Sequence, residues 1–194
     1  MKSNSGSIST LFKNKRNDAI PNVGMKGWYY MDITIKNEEY RFGCRTVAII
    51  FNNDMTKILV QKIKDIYMLP GGRLQILEDS KTAIERELKE ELNIVEPVKL
   101  KYSTESFLIF PNGQKYHELG YYYILQIDEK KYGLDKDDKI LNNDYKHDGN
   151  IYFEWIKLSN IDNYKIIPKN IIDKIKEIKF INDDKIEHLI YREF

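Results

Sequence analysis

Residues 71–94 read GGRLQILEDSKTAIERELKEELNI and hold most of the information about this chain. The two glycines follow Pro70, and Pro-Gly-Gly predicts a strong break in the chain. Asp79 or Ser80 is suited to cap a helix, and the pattern that follows predicts a helix to about Leu92. The stretch therefore combines a glycine turn with a short capped helix.

Three glutamates of this helix lie close together on one side. At 100° per residue, Glu87, Glu90 and Glu91 span roughly a third of the helix circumference. Like charges three or four residues apart repel by roughly 0.2–0.5 kcal/mol a pair, and the macrodipole disfavours anions near a helix C-terminus. Grouped carboxylate oxygens are the ligands that Mg²⁺ prefers, so a bound cation would turn this repulsion into attraction. The sequence therefore predicts a metal site.

Apolar residues adjoin the acidic ones. Ile84, Leu88 and Leu92 recur every four residues and are expected to face the core, and Asn93 stands where a left-handed residue usually ends a helix. The competing interpretation is a solvated acidic face laced by Lys–Glu ion pairs around Glu85. Those pairs lie on the outer side of the helix and leave the three glutamates unexplained.

The flanking sequence alternates strand patterns with turns. Segments rich in β-branched and aromatic residues predict strands, and they are Trp28–Ile35, Thr46–Phe51, Lys57–Ile63, Tyr67–Leu69, Lys99–Phe110, Gln114–Ile127, Phe153–Leu158 and the C-terminal HLIYREF as an edge strand. Asn112-Gly113 is a strong hairpin signal, and Pro168 is expected in the first turn of a helix through Ile178. The polar stretch Asp128–Asn150 is interpreted as a surface loop. These elements predict an α/β sandwich around a mixed sheet.

Composition limits the classes of function. The 194 residues carry 31 Lys+Arg and 30 Asp+Glu, and this balance argues against binding a nucleic-acid polymer but leaves a small nucleotide possible. The single Cys44 excludes an intramolecular disulfide and fits the cytoplasm. No apolar run is long enough for a membrane span. Residues 1–24 are expected to form a flexible arm, and residues 25–194 a single domain.

The glycine turn and helix together resemble the signature of the Nudix hydrolases, G-x5-E-x7-R-E-U-x-E-E-x-G-U, where U is a bulky aliphatic residue. The matching positions are Gly72, Glu78, Arg86-Glu87-Leu88, Glu90-Glu91 and Asn93-Ile94. Only the last glycine differs, and the Asn93 that replaces it is the next best residue for a left-handed conformation. The resemblance implies an α/β/α sandwich and hydrolysis of a diphosphate linkage, commonly in a nucleoside diphosphate derivative.

The resemblance also implies roles for the residues of the motif. Glu87, Glu90 and Glu91, with the backbone of Gly72, would bind Mg²⁺, with Mn²⁺ as a substitute. Glu87, Glu90 and Arg86 are the expected catalytic residues of the motif, and Glu87 is either a metal ligand or the general base. Arg86 is expected to brace Glu78 or Glu90. Since many family members recruit an acidic residue from outside the motif, Glu118 or Glu105 is the alternative base.

Several residues are candidates for contacts with substrate. Gly71 and Gly72 let the backbone approach a ligand closely. Arg73 is placed to meet a phosphate, and Arg45 and Arg41, which flank the first buried strand, are further candidates.

The aromatic, histidine and cysteine residues are not assigned to catalysis. We interpret Tyr67, Phe107 and Phe110 as core residues. The alternative role for these aromatic side chains is stacking on a nucleotide base. His117 is expected to be a packed strand residue, and Cys44 a small core residue. His147 and His188 have no motif around them.

Two further classes of function share the fold. A non-catalytic Nudix-like nucleotide-binding or regulatory module would be marked by loss of motif carboxylates, and none is lost. An isomerase of the isopentenyl diphosphate type would need a catalytic cysteine in its own motif, and Cys44 has no such setting. The sequence does not distinguish among four substrate classes: oxidised nucleoside triphosphates, ADP-ribose, dinucleoside polyphosphates and nucleotide sugars. A homodimer is possible, as in other family members.

Overall fold

The computed structural model describes residues 31–135, 139–142, 151–181 and 184–194, and the predicted arm and His147 lie outside these ranges. The described strands are β1 (Thr34–Lys36), β2 (Tyr40–Phe51), β3 (Lys57–Ile63), β4 (Ile66–Met68), β5 (Gly71–Arg73), β6 (Lys99–Ile109), β7 (Lys115–Gln126), β8 (Ile140–Leu141), β9 (Ile151–Lys157), β10 (Ile166–Ile167) and β11 (Glu187–Glu193). The described helices are α1 (Ser80–Leu92), α2 (Asn170–Glu177) and a 3₁₀ helix (Leu158–Asn163).

One mixed sheet organises the chain. Its main order is β10-β4-β3-β2-β7-β6-β11, and β2 and β7 pair in parallel along their full length, from Tyr40 opposite Lys115 to Phe51 opposite Gln126. The antiparallel hairpin of β6 and β7 and the edge position of β11 confirm two of the predictions.

Helices cover both faces of the sheet. On one face Ile84 of α1 shares a buried cluster with Ala48 of β2, and on the other face Ile171 of α2 shares a cluster with Val47. All six residues of Thr46–Phe51 are buried, as expected for a strand that is covered on both sides. The predicted α/β/α sandwich is confirmed.

Local signals set the ends of α1. The side chain of Asp79 accepts hydrogen bonds from the backbone N–H groups of Lys81 and Thr82, both at 3.0 Å. At the other end Asn93 is left-handed (φ 57°, ψ 26°), and the N–H of Ile94 reaches the carbonyl of Leu88 at 3.0 Å. The predicted bounds of the helix are confirmed.

The predicted break at Pro70-Gly71-Gly72 is confirmed at Pro70, since β4 ends at Met68, but it does not extend to the two glycines. These residues form β5, which pairs antiparallel with β2, with Gly72 opposite Thr46. The pairing brings the backbones so close that a Cβ on Gly71 would lie 2.3 Å from the carbonyl oxygen of Thr46. Glycine is thus needed at position 71 for β2 and β5 to approach each other this closely.

Three further boundaries differ from prediction. The first described strand is β1 instead of Trp28–Ile35, and residues 28–30 of that prediction lie outside the described ranges. Pro168 lies before α2, which begins at Asn170, because the chain is still extended where Ile166 pairs with Tyr67 of β4. The stretch Asp128–Asn150 is not entirely a surface loop, since β8 pairs with β9 and Asn142 is fully buried. Neither helix in the described ranges has the length and apolar character that a bilayer crossing requires.

Candidate active site

The acidic side of α1 opens onto a cleft of about 490 Å³. The helix forms one wall, and β5 and the ends of β3 and β9 form the others. The lining residues are Asp32, Gln61, Ile63, Gly71, Gly72, Arg73, Arg86, Glu87, Glu90, Glu91 and Ile151. The structure thus brings the predicted glycines, Arg73 and the acidic cluster of α1 to one place.

Arg86 is the centre of an ionic network in this cleft. Its Nε atom donates to Oε1 of Glu78 at 2.8 Å, and its Nη1 atom donates to Oε1 of Glu87 at 2.8 Å and to Oε2 of Glu90 at 3.0 Å. Its Nη2 atom donates to the carbonyl of Arg73 at 3.3 Å, which ties the helix to β5. The predicted brace is confirmed, and it reaches both Glu78 and Glu90.

The network changes the acid–base properties of its members. The hydrogen bonds from Arg86 hold the pKa of the Glu78 carboxyl below its ordinary value, and the bond to Glu78 is the largest cause of a raised pKa for Arg86. One guanidinium therefore offsets the repulsion between Glu87 and Glu90. The crowding of these two carboxylates does not by itself require a cation.

Gly72 provides space for Glu87. A Cβ built on Gly72 would lie 2.1 Å from Oε1 and 2.4 Å from Cδ of Glu87. The pairing of Gly72 with Thr46 of β2 fixes the backbone at this position. The carboxylate of Glu87 therefore lies directly against the backbone of β5.

Glu91 is buried, with 5% of its surface exposed. Its Oε1 accepts hydrogen bonds from Nδ2 of Asn142 at 2.8 Å and from Nε2 of Gln61 at 3.4 Å. Sequence reasoning missed both amides. The Gln within the apolar run KILVQKI was a usable signal, whereas Asn142 stands in a polar stretch that gave none.

Asp32 is a second acidic residue that sequence reasoning missed. Its carboxylate lies 3.3 Å from Nη1 of Arg73, and both side chains are partly exposed at the mouth of the cleft. Asp32 is brought here by an isolated β-bridge with Gln75. Arg73 thus carries an acidic neighbour at the place where it was predicted to meet a phosphate.

Glu118 and Arg45 are not among the cleft-lining residues of the described ranges. Glu118 is half-buried on β7, beside Gly43 of β2, and it accepts a hydrogen bond from the hydroxyl of Tyr116. Burial is the main cause that raises the pKa of Tyr116, and the charge of Glu118 adds to it. Arg45 pairs across the sheet with Arg73, and its buried Nε–H has no hydrogen-bond partner within the described ranges.

The other polar candidates also lie elsewhere. Oε1 of Glu105 lies 3.4 Å from Nε2 of His188 on β11. His117 stacks on Phe107 with 4.4 Å between ring centroids, which confirms it as a packed residue. Burial, followed by the charge of Glu118, raises the pKa of the Cys44 thiol. A raised pKa disfavours the thiolate, so Cys44 has the character of an inert thiol.

The donor set of the cleft suits a hard divalent cation in kind. Carboxylate and carbonyl oxygens are its preferred ligands, and Glu87, Glu90, Glu91 and Gly72, which carry such oxygens, line the same cleft. In the described ranges no group of three or more His, Cys, Asp or Glu side chains is gathered closely enough to hold an ion. Hydrogen bonds from Arg86 and from the two amides engage one carboxylate oxygen each of Glu87, Glu90 and Glu91.

Comparisons with known proteins agree with this geometry. The sequence matches the NUDIX domain over residues 44–174, while no curated protein matches it in sequence. Among solved structures, the MutT protein from Bacillus halodurans is 14% identical, with a TM-score of 0.52, over 77% of this chain and 90% of that one. The NUDIX domain of Shewanella oneidensis NrtR, solved with ADP ribose, is 14% identical with a TM-score of 0.51, over 74% of this chain and 89% of that one.

At such identities a structural likeness shows the fold alone. The sequence match covers more than half of the 194 residues and includes β5, α1 and every residue of the signature. Members of this family generally use divalent metal ions. The chain therefore belongs to the Nudix hydrolase family, and it is a Nudix pyrophosphohydrolase.

Proposed function

We propose that this protein is a Mg²⁺-dependent hydrolase of a nucleoside diphosphate-linked small molecule, in which water attacks a phosphorus atom. The main support is the cleft of about 490 Å³, which is lined by three glutamate side chains of α1 and by the glycines of β5. Glu90, Glu91 and the backbone of Gly72 would hold the ion, and Mn²⁺ is proposed as a substitute. When bound, such an ion neutralises phosphate oxygens and lowers the pKa of water.

The chain's own residues supply positioning and proton transfer. Arg86 sets the orientation of Glu87 and Glu90 through hydrogen bonds of 2.8 and 3.0 Å. We assign the proton-accepting role to Glu87, because Glu118 is not among the residues that line the cleft and Glu105 pairs with His188. Phosphoryl chemistry depends mainly on positioning and charge stabilisation, so no protein nucleophile is required.

Substrate contacts are assigned to β5 and β2. The backbone of Gly71 and Gly72 and the side chain of Arg73 line the cleft and would contact the diphosphate. Arg45 would contact a more distant anionic group of the substrate, because it lies on the neighbouring strand and its buried Nε–H has no hydrogen-bond partner in the part of the chain that the structure describes. ADP-ribose belongs in any substrate panel, since a NUDIX domain of similar fold was solved with it.

A product-resolved nucleotide screen tests the proposal. The purified protein is incubated with Mg²⁺, with Mn²⁺ or with EDTA, and products are identified by mass spectrometry after hydrolysis in ¹⁸O-labelled water. We expect turnover of at least one diphosphate compound with either metal and none in EDTA. The position of the label identifies the phosphorus that water attacks.

Two glutamine variants on the same helix give a matched comparison. Glu90→Gln should abolish turnover, whereas Glu85→Gln should keep it, because Glu85 lies on the outer side, 3.8 Å from Lys81. Full activity in Glu90→Gln would refute the ligand assignment. Nucleotide binding with no turnover by the wild-type protein would favour the non-catalytic module.

Three coarser assignments accompany the catalytic one. We propose a single catalytic domain over residues 25–194, a cytoplasmic location and a possible homodimer. Limited proteolysis, cell fractionation and light scattering after size-exclusion chromatography test these in turn. A stable fragment shorter than the proposed domain that retains hydrolysis would overturn the first.

A further inference from the structure

Asn142 has an unusual position for a residue in a polar stretch. It directly follows β8, whose two residues pair antiparallel with β9. Its neighbour Leu141 is 57% exposed, whereas Asn142 is 0% exposed. The apolar side chain thus faces solvent and the amide is inside, which reverses the usual order of burial.

The buried amide makes a specific contact. Nδ2 of Asn142 donates to Oε1 of Glu91 at 2.8 Å, and Nε2 of Gln61 donates to the same oxygen at 3.4 Å. The sheet brings the two amides together, since Phe153 of β9 is paired with Gln61 on one side and with Ile140 of β8 on the other. Two strands that flank β9 therefore deliver donors to one carboxylate oxygen of α1.

The chemistry of these donors matters for an ion-binding carboxylate. Burying a charge is costly unless hydrogen bonds compensate for the lost water, and Glu91 also lies near the C-terminus of α1, where the macrodipole opposes an anion. A lysine or arginine donor would neutralise the carboxylate and compete with a cation. The amides of Asn142 and Gln61 fix the orientation of the carboxylate and bring no positive charge of their own.

We propose that Asn142 is a positioning residue, whose side-chain amide holds Glu91 in the orientation needed to bind the divalent ion. This rests on the proposed function, in which Glu91 is a metal ligand. Asn142 forms the shorter of the two bonds and is the more deeply buried donor, so it carries the larger part of this role, and Gln61 carries the smaller part. Residues that orient a metal ligand typically change metal affinity 10- to 100-fold when they are replaced.

Titration of the full-length protein with Mn²⁺ tests the proposal, with free Mn²⁺ followed by electron paramagnetic resonance. Asn142→Leu keeps the branched skeleton of the side chain and removes the donor, and we expect its Kd for Mn²⁺ to rise about 10-fold or more. Gln61→Leu should cause a smaller rise, because its bond is longer. Asn160→Leu is the matched control, since Asn160 is exposed on the 3₁₀ helix, and its Kd should equal that of the wild type.

A Glu91→Gln variant separates failure of this inference from failure of the proposed function. If Glu91→Gln loses Mn²⁺ affinity and Asn142→Leu keeps it, the positioning role is overturned and the metal site stands. If Glu91→Gln binds Mn²⁺ as tightly as the wild type, Glu91 is not a ligand, and the proposed ligand set and this inference both fail. A graded loss, largest for Glu91→Gln and smallest for Gln61→Leu, supports both.

The wild-type protein provides a second measurement in case Asn142→Leu does not fold. The side-chain amide of Asn142 is observed by NMR in protein labelled with ¹⁵N-asparagine, and Asn142→Ser provides the assignment. Saturation with diamagnetic Mg²⁺ should shift this resonance, because the ion withdraws charge from the oxygen that the amide contacts, while the Asn160 resonance should not move. An unshifted Asn142 resonance at saturating Mg²⁺ would overturn the inference.

Discussion

The carboxylate of Glu87 occupies the space that a side chain at position 72 would fill, and this position is Gly72. An added Cβ would lie 2.1 Å from Oε1 of Glu87, whereas real Cβ contacts are essentially never shorter than 3.0 Å. Gly72 does not have a positive φ, so the backbone itself would accept alanine. Glycine is needed at position 72 because the Glu87 carboxylate lies against it.

We therefore expect Gly72→Ala to fold and to lose most of its activity. The added methyl group must push the Glu87 carboxylate away from β5 and from the guanidinium of Arg86. We predict a fall in kcat/KM of roughly 100-fold, which corresponds to about 2.7 kcal/mol of transition-state stabilisation, with the melting temperature within a few degrees of the wild type. Steady-state kinetics and thermal unfolding measure the two quantities.

A double-mutant cycle with Glu87→Ala tests the cause. If Gly72→Ala acts through Glu87, the double variant should be no less active than Glu87→Ala alone, since the two changes remove the same interaction. Losses that simply add would show that Gly72 acts through some other contact.

Replacing Arg86 by lysine should release three carboxylates. The guanidinium donates to Glu78, Glu87 and Glu90 at once, and an ammonium on a flexible stem cannot reproduce that planar arrangement. We predict a loss of about 1–3 kcal/mol in the free energy of unfolding, measured by urea denaturation. Arg73→Lys is the comparison, because its ion pair with Asp32 is exposed and should change stability by less than about 1 kcal/mol.

The lowered pKa of Glu78 predicts a pH dependence of stability. Because Arg86 favours the charged carboxylate in the folded state, the unfolded chain binds more protons in the acidic range. The stabilisation from Glu78 is then complete above roughly pH 4.3, the ordinary value for a glutamate, and is lost as the pH falls through the lower value of the folded state. Unfolding of wild type and Glu78→Gln at pH 3–6 should give stabilities that converge at low pH. Parallel curves would contradict this origin of the shift.

Asn93 should tolerate glycine better than alanine. Its φ of 57° is left-handed, and a Cβ in that region costs roughly 1–2 kcal/mol for residues other than Gly, Asn and Asp. Asn93→Ala should lower the free energy of unfolding by about 1 kcal/mol. Asn93→Gly should stay within about 0.5 kcal/mol of the wild type, since glycine loses the Lys89 contact but relieves the strain. Chemical denaturation of all three proteins checks the order, and equal stability of the Ala and Gly variants would refute it.

Features encoded by neighbouring residues were predictable from the sequence. Asp79 and Asn93 set the ends of α1 through contacts within a few residues, and the resemblance to the family signature implied that Arg86 braces Glu78 or Glu90. The hairpin at Asn112-Gly113 is of the same local kind. In each case the partners are close in sequence, so propensity and spacing are sufficient.

Features that depend on distant pairing were not predictable. Gly71-Gly72 was interpreted as a break because the glycine signal does not show that β2 lies beside it. Asn142 belongs to a polar stretch, and only its alignment beside β9 places the amide under α1. Glu118 shares a face with Tyr122, as the strand alternation predicted, but alternation does not show which positions along that face reach the cleft, and Glu118 is not among the cleft-lining residues of the described ranges.

The parallel pairing of β2 with β7 affects the order of events during folding. Phe51 lies opposite Gln126, and β3, β4, β5, α1 and β6 all belong to the intervening chain. Closing so long a loop makes the central pairing a slow, non-local event in refolding, whereas a helix turn forms within microseconds. During refolding from urea, affinity for Mn²⁺ should therefore return with the slow phase of sheet formation and not with the early helical signal.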